Sequence, residues 1–211
     1  MEHLGHKTLL FAIVMIVVYT VLFMFVDAPV DRWMHDTFYS TWVFKIGTWV
    51  SYLGDGSILR LLVALCFILV VVADPYVRKP WVKSLLYVCV SCAIALVIGE
   101  GLKYLLARHR PLMLFDSGRY GLHFLSSKWA ENSTPSGHTI RAFSILTALS
   151  LLYRKYSVPF ITLAVLIGVS RVVVTDHYPS DVLFGAYIGI FTALWVYRYF
   201  HARDSAAESA V

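Results

Sequence analysis

A polar stretch from Ser170 to Asp181 lies between two apolar runs and carries residue types that a bilayer segment normally excludes. Charged side chains at membrane depth cost about 2.5–3.5 kcal/mol each on insertion scales, and they commonly mark function. His177 precedes Asp181 by four residues, and Asp181 opens the next apolar run. A carboxylate placed there can hydrogen-bond one imidazole nitrogen and leave the other free to attack an electrophile. Read alone, the stretch fits equally well an ordinary polar loop in which Asp181 caps a helix.

A second polar stretch closes an apolar run further upstream. Lys103 precedes Arg110 by seven residues, which is two helical turns, so we expect both side chains on one helix face. Pro111 disfavours helix at the preceding residue, so the helix is expected to end at Arg110. A basic cluster that anchors lipid head groups is the ordinary alternative, but it does not explain why Lys103 lies a full turn inside the apolar run.

A third stretch, Pro135-Ser-Gly-His138, is followed at once by an apolar run. Backbone N–H groups at a helix start, next to Ser136 and Gly137, form an anion site. Glycine lets an anion oxygen approach the backbone closely, and His138 would stand in the first turn beside that anion. The alternative is a serine cap with an incidental histidine.

The composition is that of an integral membrane protein. Of 211 residues, 59% are hydrophobic and 15% charged, and the mean hydropathy is +0.70. Soluble domains average about 45–50% apolar and about 25% charged residues. The net charge of +5 comes from basic residues in short loops, so we expect anionic lipid rather than nucleic acid as the partner.

The cysteines predict neither a disulfide framework nor a metal centre. All three lie inside apolar runs, and the CxxC pair of Cys89 and Cys92 has no second pair to complete a zinc site. We therefore expect no metal and no cofactor.

The apolar runs predict an all-α protein with six transmembrane helices. A bilayer core of about 30 Å needs roughly 20 apolar residues. The runs cover residues 8–26, 58–73, 84–107, 139–153, 158–170 and 182–200. The first is longer than a signal-peptide core and lacks a good cleavage site, so we expect a retained span.

Aromatic residues over 30–52 predict an interfacial helix between the first two spans, and loop 112–134 is long enough to be functional. We expect one domain over 1–200 and a short polar tail over 201–211.

Together the three polar stretches resemble the signature of the type 2 phosphatidic acid phosphatase (PAP2) superfamily, with every position filled. The signature reads Lys103-x6-Arg110-Pro111, then Pro135-Ser-Gly-His138, then Ser170-Arg171-x5-His177-x3-Asp181. The resemblance covers residues 100–181 by motif, and segment 110–121 is similar to bacterial lipid A 1-phosphatases. The family also includes soluble vanadium-dependent haloperoxidases, which use a similar anion pocket.

Phosphate-ester hydrolysis assigns a role to each residue of these stretches. A catalyst must neutralise the phosphoryl oxygens, supply an in-line nucleophile and protonate the leaving oxygen. His177, oriented by Asp181, is expected to attack phosphorus, and His138 to act as general acid. The expected phosphate-binding residues are Lys103, Arg110, Ser136, Gly137 and Arg171. The resemblance implies the same assignment.

The predicted activity is hydrolysis of a lipid phosphate through a phosphohistidine. Candidate substrates are lipid A 1-phosphate, undecaprenyl diphosphate, phosphatidylglycerophosphate and phosphatidate. A phosphotransferase would use the same pocket, and only acceptor assays separate the two. A haloperoxidase with bound vanadate fits poorly with six spans, and a transporter would need no histidine at a helix start.

Charge and spacing also predict orientation in a bacterial inner membrane. With six spans, all three polar stretches fall on one face, and Glu100 is expected to pair there with Lys103 or Arg141. The basic residues of the opposite face are Lys7, Arg78, Lys79, Lys83, Arg154, Lys155, Arg198 and Arg203. The site face keeps, besides its phosphate-binding cations, Arg32, Lys45, Arg60, Arg108, Arg119, Lys128 and Arg141. The positive-inside rule then places both termini in the cytoplasm and the site toward the periplasm or exterior.

Overall fold

The computed structural model of the protein describes the backbone of residues 2–208 and the side chains of residues 5–200. Within that range the chain is helical, and the β-structure amounts to one isolated bridge between Arg108 and Leu122. The α-helices are α1 (Glu2–Val21), α2 (Asp27–Phe38), α3 (Trp42–Tyr52), α4 (Gly56–Ala73), α5 (Pro80–Leu106), α6 (Pro111–Ser117), α7 (Gly137–Leu152), α8 (Ser157–Val173) and α9 (Pro179–Glu208). The all-α prediction is confirmed, and the first eight residues of the expected polar tail continue α9.

Five helical stretches of the described residues are long and apolar enough to cross a membrane. They are Gly5–Phe38, Trp42–Ala73, Pro80–Leu106, Arg154–Val173 and Pro179–Phe200. The predicted fourth span corresponds to α7, which is apolar but has 16 residues.

The region between the first two predicted spans differs from the expectation. A π-helical turn over Leu22–Val26 joins α1 to α2, so the first helix continues into the region expected to be interfacial. The prediction of one helix over 30–52 is wrong, because the helix is interrupted between Phe38 and Trp42. Ser40 adopts a φ of 64°, a left-handed conformation that an α-helix does not accommodate.

The end of α5 also differs from the expectation. The helix stops at Leu106, where Ala107 takes a left-handed φ of 43° and donates its N–H to the Lys103 carbonyl at 2.8 Å. Arg110 therefore lies outside α5, in extended backbone, and it precedes Pro111 at the start of α6. The prediction that Lys103 and Arg110 project from one helix face is wrong, because a left-handed residue separates them.

Helix α7 lies at the centre of the bundle and packs against α5, α8 and α9. Glycines of α9 bring its backbone close to α7. A Cβ built on Gly189 would lie 2.8 Å from Phe143 Cβ, and one built on Gly185 would lie 2.8 Å from the Ser136 carbonyl oxygen. Small residues at helix crossings permit such close backbone approach in membrane proteins.

The predicted polar stretches lie together at one end of this bundle. The Ser136 N–H at the start of α7 donates to the Asp181 carbonyl at 3.0 Å, which ties α7 to α9. Arg141 Nε donates to the Gly54 carbonyl at 3.1 Å, which adds the turn between α3 and α4 to the same end. The end of α8 lies at the same end of the bundle, because the Arg171 guanidinium donates to Ser51 Oγ on α3.

Candidate active site

The start of α7 presents polar groups that the protein itself leaves unpaired. Ser136 is fully buried, and its Oγ has no hydrogen-bond partner among the described residues. No side chain caps the helix N-terminus at this position. A Cβ built on Gly137 would lie 3.0 Å from Lys103 Nζ, so the ammonium group stands directly against this glycine. The helix start and a cation thus face the same point.

Lys103 is held in place by an acidic neighbour. Its Nζ donates to Glu100 Oε1 at 2.8 Å, so the expected pairing of Glu100 is confirmed with the lysine. The Glu100 side chain is 63% exposed, not buried, and Arg141 is engaged with Gly54 instead. The Lys103 side chain is largely buried, so water screens the interaction of its ammonium group with an anion at Gly137 only weakly.

Arg110 reaches the site from the loop after α5. Its Nε donates to the Trp129 carbonyl at 3.0 Å, and its guanidinium lies 4.2 Å from the centroid of the Trp129 ring. Another of its nitrogens, Nη1, is 3.5 Å from the Asp176 carbonyl oxygen. Burial lowers the pKa of Arg110 to about 10, with a partial offset from Asp176, so the group remains a cation at neutral pH.

Arg171, in the last turn of α8, is clamped from two sides. Its guanidinium donates to Ser51 Oγ on α3 and to the carboxylate of Asp176, and only 6% of the residue is exposed. Asp176 lies in the turn that leads to His177, where Thr175 adopts a left-handed φ of 51°. That conformation is an outlier for a β-branched residue, and such outliers cluster at functional sites.

His177 is the more buried of the two histidines predicted to be catalytic. It is 2% exposed, and its backbone N–H donates to the Arg171 carbonyl at 3.3 Å. Burial, and then the positive charge of Arg110, lowers the pKa of His177 to about 4, although Asp181 opposes this shift. The imidazole is therefore neutral, and able to act as a nucleophile, at physiological pH.

Asp181 lies near His177 but is bonded mainly to other groups. Its Oδ2 is 3.8 Å from His177 Nδ1, longer than a hydrogen bond. The direct bond expected between them is thus absent, because Asp181 Oδ2 accepts from Ser133 Oγ at 2.6 Å and Oδ1 accepts from Arg108 Nη1 at 2.6 Å. Sequence reasoning counted Arg108 only among the loop cations, since nothing in its local pattern reveals a partner 73 residues away.

His138 opens onto a cavity of about 390 Å³ that also reaches Arg171 and Asp176. The opposite wall comes from α3 and the turn after it, which the sequence did not link to the site: Phe44, Thr48, Ser51, Tyr52 and Asp55. The feature of the sequence that could have linked this region to the site is the aromatic content of 30–52, which predicted only a membrane interface.

The arrangement suits a tetrahedral dianion. Lys103 lies at the uncapped start of α7 beside the unpaired Ser136 hydroxyl. Arg110 and Arg171 contact Asp176, next to the neutral imidazole of His177, and the second imidazole, His138, faces the adjoining cavity. Such groups stabilise charge on phosphoryl oxygens. Among residues 5–200, no three His, Cys, Asp or Glu side chains form a group that could hold a metal ion.

Comparison with known proteins places this arrangement in context. Over 118 residues the chain is 34% identical to the lipid A 1-phosphatase of Rhizobium johnstonii, covering 54% of this chain and 48% of that protein. Over 117 residues it is 30% identical to the undecaprenyl-diphosphatase BcrC of Bacillus subtilis, covering 56% of this chain and 58% of that protein. The crystal structure of Aquifex aeolicus LpxE matches with a TM-score of 0.61 at 27% identity, covering 82% of this chain and 96% of that one.

The chain spans about half the length of these curated relatives. A sequence model of the PAP2 superfamily matches residues 84–205, a range that contains all three polar stretches of the site. Because that range is more than half of the 211 residues, the chain belongs to the PAP2 superfamily.

Proposed function

We propose that this protein is an integral-membrane phosphatase that hydrolyses a lipid phosphate through a phosphohistidine on His177. The observation that carries the proposal is a buried, neutral imidazole beside the uncapped start of α7 and three cations. Cations and helix N-termini bind phosphate oxygens, and a neutral imidazole supplies the nucleophile. The family membership and the curated phosphatases it resembles support the same activity.

In the proposed first step, His177 Nε2 attacks phosphorus while Nδ1 faces Asp181. An N–P bond forms as the phosphorus–oxygen bond to the lipid breaks, and His138, which enters the step as the imidazolium, gives its proton to the departing oxygen. The equatorial oxygens are held by Lys103, Arg110, Arg171, Ser136 and Gly137. In the second step His138 takes a proton from water, the water oxygen bonds to phosphorus, and the N–P bond breaks to release inorganic phosphate.

The substrate class we propose is a lipid with its phosphate on a sugar, as in lipid A 1-phosphate. The lipid A 1-phosphatase similarity supports it, as does the cavity wall opposite His138. Phe44 and Tyr52 give that wall aromatic faces, and Thr48 and Asp55 give it polar atoms. Recognition sites for polar ligands commonly pair apolar area with a few placed polar groups.

A polyprenyl diphosphate is the second candidate, favoured by the similarity to the BcrC diphosphatase. Its additional phosphate would sit in the cavity that Asp55 and Asp176 line, and like charges there oppose binding. The same pocket could pass the phosphoryl group to a lipid acceptor, so hydrolase and phosphotransferase differ only in what attacks the phosphohistidine.

We also propose a topology for this activity. Residues 1–200 form one domain with six spans, in which α7 crosses as a short, central span, and 201–211 is a polar tail. Exposed aromatic side chains at Trp42 and Trp49 of α3 support a position at the membrane–water interface. Both termini face the cytoplasm of a bacterial inner membrane, and the site opens to the periplasm.

A panel of purified lipid phosphates in detergent, scored by released phosphate with and without EDTA, tests the activity and the substrate together. We expect release in EDTA and the highest kcat/KM with a sugar 1-phosphate lipid. A higher kcat/KM for the polyprenyl diphosphate than for the sugar 1-phosphate lipid would make the diphosphate the preferred substrate. No phosphate release from any lipid of the panel would refute the proposed phosphatase activity.

A further inference from the structure

A buried ionic cluster includes Asp181, the carboxylate nearest the proposed nucleophile, and none of its three charged residues lines the cavity. Arg108, Asp27 and Asp181 are each 0% exposed. Arg108 Nη2 donates to Asp27 Oδ2 at 2.8 Å, and Arg108 Nη1 donates to Asp181 Oδ1 at 2.6 Å. Charges removed from water in this way are tolerated only when they are paired and hydrogen-bonded, and here one guanidinium bridges two carboxylates.

Asp27 is also bonded directly to the first turn of α9. Its Oδ1 accepts from the Ser180 backbone N–H at 3.0 Å, and Ser180 Oγ donates to its other oxygen. The same serine hydroxyl accepts from Arg108 Nη1 at 2.7 Å. A carboxylate from the beginning of α2 therefore acts as the N-cap of another helix, where negative charge is favoured.

Aromatic side chains close the cluster to solvent and fix the guanidinium plane. The Arg108 guanidinium lies 4.1 Å from the centroid of the Tyr178 ring and 4.7 Å from that of Phe23. Its Nη2 also donates to Tyr120 Oη at 2.9 Å. The π-helical turn over Leu22–Val26 ends immediately before Asp27, and such turns often occur at functional positions.

We propose that Asp27, through Arg108 and Ser180, is a positioning residue that holds Asp181 in place beside His177. The chain of contacts runs from Asp27 to the first turn of α9 and to Arg108, then to Asp181, whose Oδ2 faces His177 Nδ1. The inference rests on the proposed function, because it concerns how the proposed nucleophile is oriented. It also reaches beyond the family match, which begins at residue 84 and does not include Asp27.

This role predicts a loss in the chemical step and not in substrate binding. In Asp27→Asn, the isosteric amide keeps an acceptor, but Arg108 has only Asp181 left as a charged partner and draws that carboxylate away from His177. A misplacement of about 1 Å in the reacting groups, caused by a mutation far from the chemistry, can cost about 100-fold in rate. The phosphate-binding cations stay untouched, so KM should be unchanged.

Rapid-quench measurement of phosphoenzyme formation, with the full chain and a labelled lipid phosphate, distinguishes positioning from folding. We expect Asp27→Asn to slow the rate of formation by about tenfold or more while its amplitude and the steady-state KM stay within about twofold of wild type. Asp36→Asn is the matched control, since it makes the same change on α2 at a side chain that is 80% exposed. Its rate and amplitude should equal those of wild type.

Two outcomes would overturn the proposal: an unchanged rate in Asp27→Asn, or a fall in amplitude at an unchanged rate, which marks a purely structural role. If Asp27→Asn does not fold, Ser180→Ala decides, because it removes the bridging hydroxyl and keeps every charge. A several-fold slower rate in Ser180→Ala supports the proposal, and a wild-type rate refutes it. Failure of the wild-type protein itself to form a phosphoenzyme would instead refute the proposed function.

Discussion

At the residue scale, the site depends on keeping His177 neutral among cations. The pKa of this histidine, lowered to about 4 by burial and by Arg110, leaves the imidazole unprotonated well below pH 6.5. Because the proposed nucleophile is the neutral imidazole, activity should persist through pH 5–6 and fall as the pH drops through about 4. The substrate also ionises near pH 6.

The acid limb of the pH profile of kcat/KM tests the predicted pKa of His177. The profile is first corrected for the ionisation of the substrate, which phosphorus NMR measures in the same detergent. A remaining limb near pH 4 agrees with the prediction. A limb at 6.5 or above would mean that His177 is not held neutral by its surroundings.

Under the proposed function, Asp176 competes with phosphate for Arg171. Its carboxylate forms an ion pair with the guanidinium, and its side chain is 41% exposed at the cavity. In Asp176→Asn the guanidinium keeps a neutral partner and a like charge is removed from the phosphate site. We expect inorganic phosphate to inhibit the variant at about a tenfold lower concentration, equivalent to about 1.4 kcal/mol. Weaker inhibition than in wild type would show that Asp176 supports phosphate binding instead.

At the element scale, the crossing of α7 and α9 sets the position of the α7 start. In Gly189→Ala the added methyl would lie 2.8 Å from Phe143 Cβ and from the Ser144 backbone nitrogen, so the two helices must separate. Overpacking of this kind costs about 1–3 kcal/mol, or about 5 °C in Tm for a chain of this length. Thermal unfolding in detergent measures it.

Gly101→Ala is the control on α5, because nothing lies within 4 Å of its added Cβ. It should unfold at the wild-type temperature or slightly above, since alanine favours helix over glycine by about 0.5–1 kcal/mol. Equal unfolding temperatures for the two variants would contradict the close crossing.

Elements were predictable where the signal is local. α4 begins after Asp55, whose carboxylate accepts from Ser57 and Ile58 N–H groups, and α5 begins at Pro80. Both are local start signals, whereas the apolar runs alone began two and four residues later, at 58 and 84. The prediction for Arg110 failed because Ala107 ends α5 with a left-handed residue, and nothing in alanine announces that conformation.

Contacts between distant elements were not predictable from the sequence. Asp27 and Arg108 lie 81 residues apart, and each looks locally like a charge flanking a span. The motif residues could be assigned because a family resemblance supplied the long-range information. The α3 wall of the cavity and Asp27 fall outside that resemblance, so only the packing of α2, α3 and α9 reveals them.

At the scale of the whole molecule, the proposed orientation predicts which loops meet the exterior. The turns near residues 74–79 and 153–156 lie at the opposite end of the bundle from the site. Single cysteines in place of Ser127 and Ser157, on a background that lacks the three native cysteines, report the two faces in intact cells. An impermeant thiol reagent should label position 127 and spare 157. The reverse pattern would place the site in the cytoplasm.

The most direct test of the central proposal is to trap the phosphorylated residue. The protein is mixed with a phosphorus-32-labelled lipid phosphate, quenched in alkaline detergent where phosphohistidine survives, and mapped by mass spectrometry. His123→Ala serves as control, because that imidazole is about half exposed and lies on the loop after α6. The proposal predicts acid-labile label on His177 in wild type and in His123→Ala, with neither label nor phosphate release in His177→Ala. Label on another residue, or more than a few per cent of activity in His177→Ala, would contradict it.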